Sequence, residues 1–248
     1  MSAAAGIGFG TWLGLLGVSG AAWGAHPFAS EDAGTVGGGV AEVELATAVD
    51  GAGPEVGCVG LSMVLHVGLT EDLDLGAALG LDSTPGPDGR WGSAMAAPVV
   101  DAKLRLSDPD GARPGVAMKL AWRPAVDGPA PTGHELAGLV AATWVVGAST
   151  LGTNAGVVSE TGQGAGRTTF QVAAGASTGL NDVVHLGVDA VLSLATAEHA
   201  GLDLMAGALF HVSPGRVVSV GVGAGWHEGE AASWVATAGL TAAFGATD

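Results

Sequence analysis

The chain has 248 residues, 48% of them hydrophobic and only 13% charged, with a formal net charge of −16, 44 glycines, no tyrosine and one cysteine. Eight basic residues against 24 acidic ones argue against nucleic-acid binding, which needs clustered Lys and Arg, and Cys58 has no partner for an internal disulfide. Mean hydropathy is +0.44, yet past the N-terminus no apolar run approaches the roughly 20 residues of a membrane helix; strands with one face in lipid reconcile the two, because only helices and closed barrels satisfy every backbone group inside a bilayer.

The N-terminus is read as an export signal. Ile7 to Val18 is apolar and Gly-rich, and Ala22 and Gly24 place small residues at −3 and −1 before Ala25. No Lys or Arg precedes Thr11, a departure from the usual positive start. The predicted division is a signal peptide over 1–24 and one barrel domain over 25–248.

From there the chain alternates. About twelve strands are predicted, the first from about Gly39 to Val49, with Val43 and Leu45 opposite Glu42 and Glu44. Val59, Leu61, Met63, Leu65, Val67 and Leu69 oppose Cys58, Gly60, Ser62, Val64, His66 and Gly68, and after Thr70-Glu71-Asp72 the alternation resumes from Leu73 to Asp82. A period of two sends successive side chains to opposite faces of a strand. In the fourth strand Val100, Ala102, Leu104 and Leu106 oppose Asp101, Lys103 and Arg105; in the fifth Val116, Met118, Leu120 and Trp122 oppose Ala117, Lys119, Ala121 and Arg123. The sixth (Leu136 to Val146) and seventh (about Leu151 to Val157) are less regular, since both faces are apolar or small. Five regular strands follow, with apolar series led by Phe170, Val184, Leu202, Val218 and Trp234.

Connections sort by length. Thr70-Glu71-Asp72, Gly147-Ala148, Asn181-Asp182 and Ser213 to Arg216 are tight, and Ser107 to Arg113 is slightly longer; between them lie longer segments at Asp50 to Glu55, Ser83 to Ala96, Pro124 to His134, Ser159 to Gly166, Ala195 to Ala200 and His227 to Ser233. An even strand count with short turns at one rim and longer loops at the other is the pattern of outer-membrane barrels. With the first strand rising from the periplasm, Trp122, Phe170, Trp226 and Trp234 fall near the outer strand ends, and Trp144, Phe210 and Phe244 near the inner ends, as two aromatic girdles. The fold expectation is therefore an all-β, transmembrane, antiparallel up-and-down barrel of about twelve strands, with both ends in the periplasm.

A family resemblance enters at His26-Pro27, Glu31-Asp32-Ala33-Gly34-Thr35, Gly39 and Glu42-x-Glu44, which together are similar to the opening of the bacterial outer-membrane transporters of the MetA-pathway of phenol degradation. The hairpin Gly68-Leu69-Thr70-Glu71-Asp72-Leu73-Asp74-Leu75-Gly76 and Pro131-Thr132-Gly133 resemble further motifs of that family. His26 in place of a basic residue, the absence of tyrosine, and Gly245 to Asp248 after Phe244 depart from it. The resemblance implies passage of small, including aromatic, molecules without fixing one, and a terminal-strand aromatic, here Phe244, read by the barrel assembly machinery.

Inside the predicted lumen, Lys103, Arg105, Lys119 and Arg123 form one set, expected to make the selectivity region opposite Glu42 and Glu44; the inward carboxylates Glu42, Glu44, Asp74, Asp189 and Asp203 lie mainly elsewhere, with Asp101 among the bases. Two readings stay open: a channel with a basic wall facing an acidic wall, whose transverse field orients polar solutes, or charges that pair across neighbouring strands and close a narrow barrel. Twelve strands fall between filled eight-stranded barrels and open porins of 16 or more. An enzyme is not expected: Ser62 and His66, like His185 and Asp189, are four strand residues apart, about 13 Å, beyond hydrogen-bond reach. Glu198-His199 and His227-Glu228 lack the spacing of a metal site, so no metal or cofactor is expected. The expected partners are outer-membrane lipid, the assembly machinery and a small solute; a purely structural or surface-interaction barrel is the remaining alternative.

Overall fold

The computed structural model describes residues 31–86, 88–125, 133–161, 166–195, 200–229 and 231–245, without the side chains of 96, 97 and 167. The predicted signal peptide, the Pro131-Thr132 motif and Glu198-His199 lie outside these residues. Twelve strands form: β1 (Ala41–Ala52), β2 (Glu55–Thr70), β3 (Leu73–Pro85), β4 (Trp91–Ser107), β5 (Gly115–Arg123), β6 (His134–Val146), β7 (Ser149–Thr161), β8 (Arg167–Gly179), β9 (Val184–Ala195), β10 (Ala200–Ser213), β11 (Arg216–His227) and β12 (Ser233–Phe244). Each pairs antiparallel with its neighbours in chain order, and β1 pairs with β12 from Ala41↔Phe244 to Ala52↔Ser233, closing the barrel. Closure removes the edges that an open sheet would present.

Polarity is inverted relative to a soluble domain. The outward series is greasy and solvent-accessible, as with Leu61, Leu120, Leu136, Val172, Val188 and Val222, each more than half exposed. The interior is polar: among the described residues the largest fully buried side chains are Glu31, Asp74 and Ser193, and the buried apolar residues are mainly alanines. Burying charge while exposing leucine is unfavourable in water; with hydrocarbon outside and a wet or ion-paired lumen inside, the same pattern is favourable. Among the described residues no helix is long and apolar enough to cross a membrane.

The irregular sixth and seventh strands form in full, thirteen residues each, paired from His134↔Thr161 to Val146↔Ser149. Their small inward residues blur alternation without disturbing the ladder. Tight turns at 147–148 and 214–215 each use a glycine in the left-handed region, Gly147 (φ 63°) and Gly215 (φ 67°), the conformation that two-residue hairpins need.

Two loop expectations are corrected. Asp50 to Glu55 is no long loop: β1 runs to Ala52, β2 starts at Glu55, and Gly53 (φ 57°) with Pro54 makes a two-residue turn. Ser83 to Ala96 is mostly strand, since β3 continues to Pro85, β4 begins at Trp91, and Ser83↔Ser93 are paired. Gly, Pro and Ser in this stretch mask an extended hairpin. β5 is shorter, and β4 pairs with it only from Val100↔Trp122 onward. Among the described residues, Trp91 to Val99 therefore has a ladder neighbour on the β3 side alone.

Candidate functional site

Residues 31–40 precede β1 and turn back into the barrel. At their base, Gly39 N donates to Gly68 O (2.9 Å) and Gly68 N to Val40 O (2.9 Å), extending the β1–β2 ladder past the end of β1. A Cβ on Gly68 would lie 1.8 Å from Gly37 O, so the chain can approach β2 here only across a glycine. Gly37 itself has φ 92°, which reverses the backbone toward the lumen.

From that point the segment crosses the inner face of five strands. Thr35 Oγ1 donates to Glu71 O in the β2–β3 turn (2.5 Å), and Val36 N donates to Asp74 Oδ2 on β3 (2.9 Å). Ala33 N donates to Thr143 Oγ1 on β6 (2.9 Å), and Asn154 Nδ2 on β7 donates to Glu31 O (2.8 Å). The Glu31 carboxylate divides between two lysines: Oε2 accepts from Lys103 Nζ on β4 (3.1 Å) and Oε1 from Lys119 Nζ on β5 (2.6 Å). All three side chains are at most 3% exposed. Asp32 Oδ1 accepts from Gly34 N (2.9 Å) and faces Lys103 Nζ (3.5 Å).

A second layer surrounds the two lysines. Asp101 Oδ1 lies 3.8 Å from Lys119 Nζ and 3.6 Å from His66 Nε2. Gly76 makes that approach possible, since a Cβ there would stand 2.3 Å from Asp101 Oδ2 and 2.6 Å from the His66 ring. Glu44 on β1 is buried and lies within electrostatic reach of Glu42, Glu31 and Lys119.

The four inward bases do not form one patch facing Glu42 and Glu44. Lys103 and Lys119 hold Glu31 instead. Arg105 sits at the rim where β1 begins and β12 ends, 2.9 Å from both Asp72 and Asp108. Arg123 pairs with Glu135, its direct neighbour across β5–β6 (2.5 Å). Asp203 accepts from His227 at the opposite rim (3.2 Å), and Asp189 is buried on β9. His66 thus turns to Asp101, and His185 stands against His211 with ring centroids 4.7 Å apart.

The far wall, β8 to β12, carries small inward residues, among them Gly175, Gly187, Gly207 and Gly221, with Met205 and Thr237 retaining partial exposure. Outside, Trp122, Phe170, Trp226 and Trp234 stand near the strand ends on the side of the 53–54 turn, and Trp144, Phe210 and Phe244 near the strand ends on the side of the 147–148 turn. Trp234 Nε1 donates to Gly53 O (2.9 Å), and Trp122 stacks on His134 at 6.2 Å.

Sequence reasoning missed the inserted segment and with it Glu31, Thr143 and Asn154 as partners. The signal was present in part: a Glu-Asp pair just before the first strand, and two inward lysines, Lys103 and Lys119, that stand directly opposite each other across β4–β5 with like charge.

These features define a transmembrane β-barrel whose lumen is crossed by its own N-terminal segment. No family model matches the chain, and no curated protein matches it. Solved outer-membrane channels share its fold. An outer-membrane channel from Pseudomonas putida F1 superposes with a TM-score of 0.63 at 9% identity, covering 86% of this chain and 98% of that one. The NanC porin gives 0.61 at 8% identity (81% and 98% covered), and the KdgM porin 0.58 at 5% (82% and 99%). At such identities the likeness is one of fold.

Proposed function

We propose that the chain is an outer-membrane channel for passive passage of small solutes, with residues 31–36 as a seated constriction on one wall of the lumen. The observation that carries this reading is the asymmetry of the lumen. Along β3 to β7 charged and polar side chains bind the segment. Along β8 to β12 inward glycines (Gly175, Gly187, Gly207 and Gly221) stand beside larger residues such as Gln171, Asp189, Met205 and Leu209, and the segment makes none of its described polar contacts there.

The solute class is inferred to be small hydrophobic or aromatic molecules, and export by a signal peptide over 1–24 belongs to the same reading. Its support is the resemblance to MetA-pathway transporters, whose Glu31-Asp32-Ala33-Gly34-Thr35 motif coincides with the inserted segment. Of the four inward bases, Lys103 and Lys119, which hold Glu31, are the selectivity residues this geometry supports best. The aromatic residues near both strand ends anchor the barrel at the two lipid interfaces.

A second reading, a closed barrel without a conducting pore, draws on the same buried salt bridges. Purified barrel in planar lipid bilayers separates the two: discrete ion steps above background support the channel, and a silent bilayer with inserted protein supports the closed barrel.

A further inference from the structure

We propose that Lys103 and Lys119 form a carboxylate-binding site in the lumen, that Glu31 fills it as a built-in stand-in, and that a small aromatic carboxylate competes for it and lifts residues 31–36 off the wall. The proposal rests on the channel reading above and deepens it by naming the ligand chemistry.

The two ammonium groups take separate oxygens of one carboxylate, at 3.1 and 2.6 Å, in a setting at most 3% exposed. Charge-assisted hydrogen bonds of this kind are about twice as strong as neutral ones. The other contacts that seat the segment are mainly neutral or backbone hydrogen bonds, to Asn154, Thr143 and Glu71, with one to the Asp74 carboxylate and a longer Asp32–Lys103 pair at 3.5 Å whose Asp32 side chain is 40% exposed. Glu31 is therefore the principal fastening, and a competitor for its site acts on the strongest link.

The ligand also needs an apolar body. Besides Glu31, the lysines are faced by Asp101 from β4, Asp32 from the segment, Glu44 from β1 and Asp74 from β3. With so many carboxylates present, the pair holds no large positive surplus, so a bare anion gains little by binding. Beside Lys119, however, lies an apolar floor. Ala117 and Ala141 are direct partners across β5–β6, two residues from Lys119 and Thr143 respectively, and are 1% and 0% exposed. Ala33, itself 1% exposed, is held beside them by Thr143. A planar ring on these alanines with its carboxylate on the lysines reproduces what Glu31 and Ala33 supply together. Exchange, unlike simple departure of Glu31, never leaves the buried ammonium groups short of a charge partner.

The test is thiol labelling of an Ala33→Cys barrel, made in a Cys58→Ala background and reconstituted in liposomes. Benzoate is expected to speed maleimide labelling several-fold; uncharged benzamide and the bare carboxylate acetate are expected to do little, and adding Lys119→Met should abolish the benzoate effect. Equal responses to benzoate and benzamide, or no response to benzoate, overturn the proposal. Should Ala33→Cys be labelled without ligand, calorimetric binding of benzoate to unlabelled barrel decides: Glu31→Gln should bind several-fold tighter than wild type, and unchanged affinity overturns the site. Planar-bilayer currents are recorded in parallel. Currents without a benzoate response remove the site and leave the channel; a benzoate response without currents under any condition leaves the site and removes the channel.

Discussion

Lys119 and Glu31, 88 residues apart in sequence, meet at 2.6 Å inside the barrel, and both side chains are at most 2% exposed. Removing one partner of a buried pair leaves an uncompensated charge, at a cost of about 3–5 kcal/mol. Because the segment is not part of the strand ladder, that cost falls on its seating and not on the barrel. Lys119→Ala should therefore expose residues 31–36 to lumen water, read as fast hydrogen exchange at the Ala33 and Val36 amides, while the strand amides stay protected. Loss of protection throughout the barrel would contradict this separation.

Gly68→Ala should unseat the same segment without altering any charge. The new methyl carbon would fall 1.8 Å from Gly37 O, too close for any real contact. Gly92 on β4, with nothing within 4 Å of its Cβ position, is the control. Faster exchange at the Val36 amide is expected for Gly68→Ala and not for Gly92→Ala; equal behaviour would contradict a close seat of Gly37 on Gly68.

Arg123→Ala and Arg105→Ala should differ sharply in stability. Arg123 and Glu135 are both buried, so breaking the pair costs about 3–5 kcal/mol. Arg105 meets Asp72 and Asp108, both well exposed at the rim, where a pair is worth roughly 0–1 kcal/mol. Urea unfolding in lipid vesicles measures both. Comparable losses would mean that the Arg123 pair is hydrated.

Much of the fold was legible in the alternation itself, because one apolar and one polar face per strand is what lipid outside and a lumen inside demand. Val116 to Arg123 shows this plainly: four apolar residues face out, and Ala117, Lys119, Ala121 and Arg123 face in. Strand ends were less legible. Gly51, Pro85 and Ser93 carry turn chemistry yet sit in ladders, since pairing to a neighbour overrides local preference. The inserted segment was the least legible part. Glu31 to Val36 has no periodicity, and its partners are scattered over Asp74, Lys103, Lys119, Thr143 and Asn154. Only three-dimensional closure makes them neighbours. The inward position of Lys103 and Lys119 could be read from alternation; the carboxylate that they bind could not.

Val172→Arg tests the membrane face. Val172 lies mid-strand on β8, points outward and is 54% exposed. In a bilayer, arginine near the midplane of the lipid face costs about 2–4 kcal/mol, whereas on a water-exposed surface it would be nearly neutral. Trp91→Arg, at the tip of the β3–β4 hairpin and 50% exposed, should cost far less. Refolding titrations into vesicles give both values, and equal effects would place β8 outside the hydrocarbon.

Single-channel current across a planar bilayer, wild type against Glu31→Ala, is the most direct test of a channel narrowed by its own N-terminal segment. Small or infrequent steps in the wild type and clearly larger or longer-lived ones in Glu31→Ala are predicted. Indistinguishable traces, or no steps from either inserted protein, would contradict it.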